Sequence, residues 1–196
     1  MGDDGHWLTP GYTRNTIRSY ITLTMRASVD ESNGEAMMQR DAHPGVNPAE
    51  ETIQVGPVRG RFLVTGAESN GSVATFELSI PAGAGLPAPP HSHDAYEETI
   101  YGLRGVSTWI VDGARIDVGP GQALCIPRGA VHAFANHGDV ETTALAILSP
   151  AAIGPAYFRE AAAVIDAAAG GPPDRAAMVA VMRRHGLTPA PAPTSA

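Results

Sequence analysis

Between residues 52 and 149 the apolar pattern is broken every few residues by glycine, proline or an Asp-Gly pair, and this punctuation limits what the chain can become. Many short strands separated by turn formers argue for a sandwich or a barrel. In the stretch VATFELSI, Phe76, Leu78 and Ile80 fall on one face and Glu77 and Ser79 on the other, as a half-buried strand requires. Segments 101–111 and 114–118 flank Asp112-Gly113, a strong hairpin signal. Further strands are expected at 61–65, 122–126, 132–135 and 142–148.

Within this region lie three histidines and a glutamate in two clusters, His91-Ser92-His93 with Glu98, and Pro127-Arg128-Gly129 with His132. Nitrogen donors with one hard oxygen and no thiolate suit a divalent first-row metal that keeps positions for water, oxygen or substrate. His91 and His93 are two apart, so on an extended segment both rings project from one face. Glu98 follows His93 by an odd step, so the chain between them must bend or bulge for the carboxylate to rejoin that face. Pro127 and Gly129 supply a turn from which His132 starts a new strand. Strands distant in sequence can aim side chains at one point inside a barrel.

The two clusters read G-x5-H-x-H-x4-E-x6-G from Gly85 to Gly105, and G-x5-P-x-G-x2-H-x3-N from Gly121 to Asn136. Only fifteen residues separate Gly105 from Gly121. This arrangement resembles the paired signature of the cupin superfamily, with the short spacing of its single-domain microbial members, over roughly residues 60 to 150. The resemblance implies an all-β core, a jelly-roll cupin β-barrel, with His91, His93, Glu98 and His132 as ligands of one divalent transition metal per chain (Fe, Mn, Ni, Co, Cu or Zn). The cupins most similar in layout include the flavonol-cleaving, quercetinase-type dioxygenases. The implied activity is a metal-dependent oxygenase acting on a small aromatic or enolisable compound. Alternatives are a redox-neutral isomerase, decarboxylase or lyase on the same ligands, and a non-catalytic small-molecule-binding cupin. Glu98 is the ligand best able to double as the catalytic proton acceptor, because a carboxylate can swing off a metal while an imidazole is held by its outer hydrogen bond.

Strand parity suggests the lining of the pocket. Ile100, Gly102 and Arg104 share the parity of Glu98, and Phe134 that of His132. Gly102 would leave space above the metal for a larger substrate. Arg104 would anchor an anionic group if inward, or stay a rim arginine paired with a strand carboxylate. Phe76, Phe134 and Trp109 would supply apolar walls or ordinary core. Glu97 is expected to face solvent. His6, His43, His137 and His185 read as ordinary surface or core histidines. Cys125, the single cysteine, has no partner for an internal disulfide and reads as a small buried hydrophobe.

A net charge of −7 with no basic patch disfavours nucleic acid and anionic membranes as partners. No apolar run is long enough to span a bilayer, and the start has no secretory pattern, so a cytoplasmic location is the default. Residues 1–50 form an irregular, turn-rich N-terminal arm with one apolar stretch at 17–25, and Met37 and Met38 offer an alternative start. Residues 51–150 are the barrel domain. Residues 151–187 change to a helical pattern, one helix carrying Tyr157, Phe158, Ala161, Val164 and Ile165 and stopping at Gly170-Gly171, the next opening near Asp174 and closing at Gly186. These helices are expected outside the barrel or against a second subunit, with Tyr157 and Phe158 as core or interface in preference to substrate contact, and 188–196 as a disordered tail. A homodimer paired through barrel sheets is the expected assembly.

Overall fold

A computed structural model describes residues 51–86 and 88–191. The stretch at 17–25 and the two methionines Met37 and Met38 lie outside the described residues. Eleven strands and two helices are described: β1 (Glu51–Val55), β2 (Val58–Val64), β3 (Ala74–Ile80), β4 (His91–His93), β5 (Glu97–Arg104), β6 (Ser107–Val111), β7 (Ala114–Val118), β8 (Ala123–Ile126), β9 (His132–Ala135), β10 (Thr142–Ser149), α1 (Pro155–Asp166), α2 (Arg175–Arg184) and β11 (Leu187–Pro189). They form two antiparallel sheets, one ordered β1-β2-β3-β10-β5-β8 and the other β11-β4-β9-β6-β7, a two-sheet jelly roll. Among the described residues no helix is long and apolar enough to cross a membrane.

The alternation expected in β3 is present, with Phe76, Leu78 and Ile80 buried against the opposite sheet. The hairpin between β6 and β7 turns on Asp112 and Gly113, both in the left-handed region at φ 48° and 82°. Two central residues at positive φ match the right-handed twist of the flanking strands. The carboxylate of Asp112 also accepts from the Val131 amide at 2.9 Å, tying the turn to the start of β9.

One expected strand is two. The segment 101–111 is interrupted at Gly105, whose φ of 67° ends β5 in the first sheet and sends the chain into β6 of the second. Apolar periodicity continues across the corner because both strands bury one face, so the pattern alone does not reveal the switch. Asn136, the last residue of the second cluster, is a structural lock. Its side-chain amide donates to the carbonyls of Ile80, Pro81 and Val140 at 2.9, 3.0 and 2.7 Å, joining the end of β9 to the end of β3.

The C-terminal segment folds back onto the barrel rather than away from it. Helix α1 begins at Pro155, whose fixed φ suits a first helical position. Its Phe158 meets Phe62 and Phe76 at ring-centroid distances of 5.0 Å each. Gly60 makes this contact possible, because a Cβ there would lie 2.8 Å from the Phe158 ring. Helix α2 is capped by Asp174, whose carboxylate accepts from the amides of Ala176 and Ala177 at 2.8 and 3.1 Å. At its other end the chain turns at Gly186 and pairs as β11 with β4, in the register Leu187 to His93, Thr188 to Ser92 and Pro189 to His91. The expectation of a disordered tail is corrected at residues 188 and 189 by this pairing; 192–196 lie outside the described residues. Proline-rich composition argues against a helix or a central strand, but β11 is at the sheet edge, where a proline's missing N–H costs nothing.

Candidate metal centre

Strands β4 and β9 place His91 directly opposite His132 across one antiparallel pair. His93 extends from the same short strand, and a bend at 94–95 returns the chain so that Glu98 enters from β5. The three imidazole rings lie 4.6 to 5.0 Å apart by centroid, with a nitrogen from each within 4.8 Å of the others. Glu98 Oε2 lies 3.3 Å from His132 Nε2 and 3.8 Å from His93 Nδ1. All four side chains are buried. The structure therefore brings together the four residues that the spacing singled out.

The backbone contacts of His91 and His132 suit rings that could offer Nε2 to a cation. His91 Nδ1 is 3.3 Å from the Pro89 carbonyl and His132 Nδ1 3.0 Å from that of Ala130. A ring that donates from Nδ1 to a backbone carbonyl presents Nε2 as the acceptor, the usual posture of a metal-binding histidine. His93 stacks on Tyr96 at 4.3 Å and 20°, and its buried Nε2 has no partner among the described residues. A buried polar atom without a partner is costly, and a divalent ion held by the three imidazoles would satisfy this one. The residues fit the metal that the ligand set implies.

Electrostatics point the same way. Burial, reinforced by the charge of His132, pushes the His91 pKa down to about 3, although the Pro89 carbonyl opposes the shift. Burial together with His91 and His132 pushes His93 down to about 2. Both rings are thus neutral at pH 7 and need lose no proton to bind a cation. Burial also works against the charged form of His132, but the hydrogen bond and charge of Glu98, helped by the Ala130 carbonyl and Asp112, outweigh it and hold its pKa above the ordinary value.

The ligand cluster opens on a partly closed cavity with about 50 Å³ of free space, room for on the order of four water molecules or one small molecule of similar bulk. Phe76, Leu78 and Phe134 from the sheets, Tyr157, Phe158 and Ala161 from α1, Met178 from α2 and Leu187 from β11 complete its walls. The placement of the helices outside the site is therefore corrected: α1, α2 and β11 close the cavity over the histidines. A helix with an apolar stripe directly after a barrel must bury that stripe, and the open end of the sandwich is the nearest apolar surface.

Other residues singled out by parity divide. Phe76 and Phe134 line the cavity, whereas Trp109 lies beyond Phe134 at 4.9 Å and bonds through Nε1 to Ser107 Oγ. Ile100 points inward and is fully buried, yet it belongs to the core and not to the cavity wall. Gly102 does not make space above the metal. A Cβ there would lie 2.1 Å from the Gly119 carbonyl oxygen, so the glycine admits a neighbouring backbone. Arg104 is a rim residue, 65 % exposed and paired with Glu141 at 2.5 Å. The register of β5 against β10 shifts beside Thr143, opposite Arg104, so parity no longer carries its side chain inward. Glu97 reaches outward to Arg128 at 2.7 Å. Cys125 is exposed, not buried, because β8 is the edge of its sheet and turns that side chain to solvent.

Among the cavity residues, Tyr157 is one that the sequence favours as core or interface over substrate contact, and no local pattern marks Met178 or Leu187 as lining the cavity.

No curated protein matches the chain. Its fold is similar to that of KdgF from Halomonas sp., at 17% identity over 52% of this chain and 86% of that one, with a TM-score of 0.44. It is likewise similar to a predicted oxalate decarboxylase from Thermotoga maritima, at 22% identity over 51% and 90% with a TM-score of 0.46, and to the polyketide cyclase RemF from Streptomyces resistomycificus, at 26% identity over 48% and 66% with a TM-score of 0.43. Residues 76–148, which run from β3 to β10 and carry all four candidate ligands, match the family model described as the cupin domain, and this part of the chain is a cupin domain.

Proposed function

We propose that this protein is a metal-dependent cupin oxygenase acting on a small, uncharged aromatic or enolisable compound. The observation that carries the reading is the cavity itself: beside the three histidines and Glu98 its described walls are almost wholly apolar, and no arginine is among the described residues that line it. Such a chamber favours a neutral or weakly acidic oxygen compound over a phosphorylated or polyanionic one, whose charge would stay unpaired on burial. A bound first-row ion supplies Lewis-acid polarisation of a substrate oxygen and, if redox-active, access to dioxygen chemistry.

The chain's own residues do the rest. The neutral rings of His91 and His93 and the His132–Glu98 pair hold the site in one geometry before substrate arrives. Glu98 takes the proton that a hydroxyl or an enolisable carbon gives up, since it is the one carboxylate in the described wall. Phe76, Phe134 and Phe158 exclude water, which strengthens each electrostatic contact inside and protects a reactive substrate from hydrolysis.

The test begins with elemental analysis of protein purified without chelator, beside His132→Ala prepared identically. A near-stoichiometric first-row metal that is lost in the variant is expected. Small enolisable and phenolic compounds are then screened in an oxygen electrode. Substrate-dependent oxygen uptake is the expected result, whereas equal turnover without oxygen would replace the reading with a redox-neutral isomerase, decarboxylase or lyase. Ligand binding with no turnover under either condition would leave a binding protein.

A further inference from the structure

Tyr157 stands in the first turn of α1, where its amide donates to the Gly154 carbonyl at 3.1 Å. Its ring is held edge-on by Phe158 and by His185, each at 5.6 Å. The side chain is 6 % exposed, and its hydroxyl makes no hydrogen bond among the described residues yet is not one of their fully enclosed unpaired atoms, so it borders open space. It lines the same cavity as the three histidines and Glu98, and apart from those four it is the only polar side chain in the described wall. A phenylalanine would pack this wall equally well, so packing alone does not call for the hydroxyl.

We propose that Tyr157 is the substrate-positioning residue of the cavity, its hydroxyl donating a hydrogen bond to a carbonyl, enol or phenol oxygen of the substrate. This rests on the reading of the site as a metal-dependent substrate site. The residue is supplied by the C-terminal helices, outside the span that matches the cupin domain. Burial and the nearby charge of Glu98 hold its pKa well above the ordinary phenol value, so the group remains a donor across the working pH range. With Glu98 lining the cavity from β5 and Tyr157 from α1, a ligand meets one acceptor and one donor, and every other non-histidine residue of the described wall is apolar. The substrate class that satisfies both is a small hydroxy or oxo compound, with an oxygen to accept from the phenol and a proton for the carboxylate to take.

The experiment loads the full chain and Tyr157→Phe with Co(II) and follows the visible spectrum during titration with two probes. Acetylacetone carries enolisable oxygens; methanethiol has one metal-binding head and a methyl tail. Equal Co(II) content is expected in the two proteins. Acetylacetone should bind the variant about tenfold more weakly, while methanethiol should bind the two within about twofold, as expected if only the hydrogen bond is lost. The metal-free variant should melt no lower than the native chain, because the hydroxyl has no partner to lose. Equal acetylacetone affinity in the two proteins would overturn the role of Tyr157 and leave the metal-site reading standing. A clear fall in the variant's melting temperature would also overturn it, by showing a structural bond. A native chain that takes up no Co(II) would overturn the site reading and this inference together.

Discussion

The sharpest disagreement between strand parity and tertiary structure lies at Gly102, and Gly102→Ala tests it. If the glycine were there to widen the cavity, the substitution would shrink the pocket and leave stability nearly unchanged. The structure instead sets the new Cβ 2.1 Å from the Gly119 carbonyl oxygen and 2.7 Å from its carbon, where ordinary contact begins near 3.4 Å. The shortfall of about 1.3 Å cannot be absorbed by a side-chain rotation, since both contacted atoms are backbone. The two segments are also tied together by Gly102 N to Gln122 O at 2.9 Å and Gly121 N to Gly102 O at 3.0 Å, so parting them breaks hydrogen bonds. Overpacking costs about 1–3 kcal/mol and each lost backbone bond about 1 kcal/mol, a total of roughly 3–5 kcal/mol. For a domain of this size that lowers the melting temperature by roughly 10 °C. Differential scanning calorimetry of the metal-free proteins reads this directly, and elemental analysis of separate samples purified without chelator should find equal metal content in the two. A Gly102→Ala protein that melts within about 2 °C of the native chain would refute the packing argument.

The metal-free protein should lose stability as pH falls through the range set by His91 and His93. Their folded pKa values of about 3 and about 2 lie below the unfolded value near 6.5, so unfolding takes up two protons between those limits. The contribution is full above pH 6.5 and declines by about 2.7 kcal/mol per pH unit near pH 5. His132, raised by Glu98, acts oppositely, and its contribution is lost as pH rises through its folded value. Urea titrations of chelated protein from pH 5 to 6.5 should show the fall, and His91→Gln should roughly halve the slope; a flat native profile would contradict the burial argument. Leu187→Ala removes a 2 % exposed side chain from the cavity wall and from the strand against His93. It should cost about 3 kcal/mol in urea unfolding and open the cavity to a fluorescent apolar dye, whereas a neutral effect would mean that β11 does not close the site. Cys125 should react completely with a thiol reagent in the native state, one equivalent per chain, and protection until denaturant is added would contradict its exposure.

What the amino-acid order determined by itself was local or spacing-bound. The period-two alternation of β3, the Asp112-Gly113 turn and the change to helix after Pro150 follow from a few adjacent residues, whose sterics act without regard to the rest of the chain. The ligand set was legible for a related reason: His91 and His93 sit on one strand face whatever surrounds them, and a strand starting at His132 had to find a partner. Three things were not legible, each because it depends on contacts between segments far apart in sequence. Parity places Ile100, Gly102 and Arg104 on the face of Glu98, but only the packed barrel decides that the first is core, the second a seat for Gly119 and the third, past a register shift, a partner of Glu141. Composition makes Leu187–Pro189 look like tail, but an edge position beside β4 lets a short proline-containing segment pair. The apolar stripe of α1 requires burial without naming the surface. The fit of Phe158 over Gly60 selects the barrel mouth, and that docking brings Tyr157 to the wall of the cavity that holds the candidate ligands. Short-range sterics set the elements, and long-range packing, which no local pattern encodes, assembled the cavity.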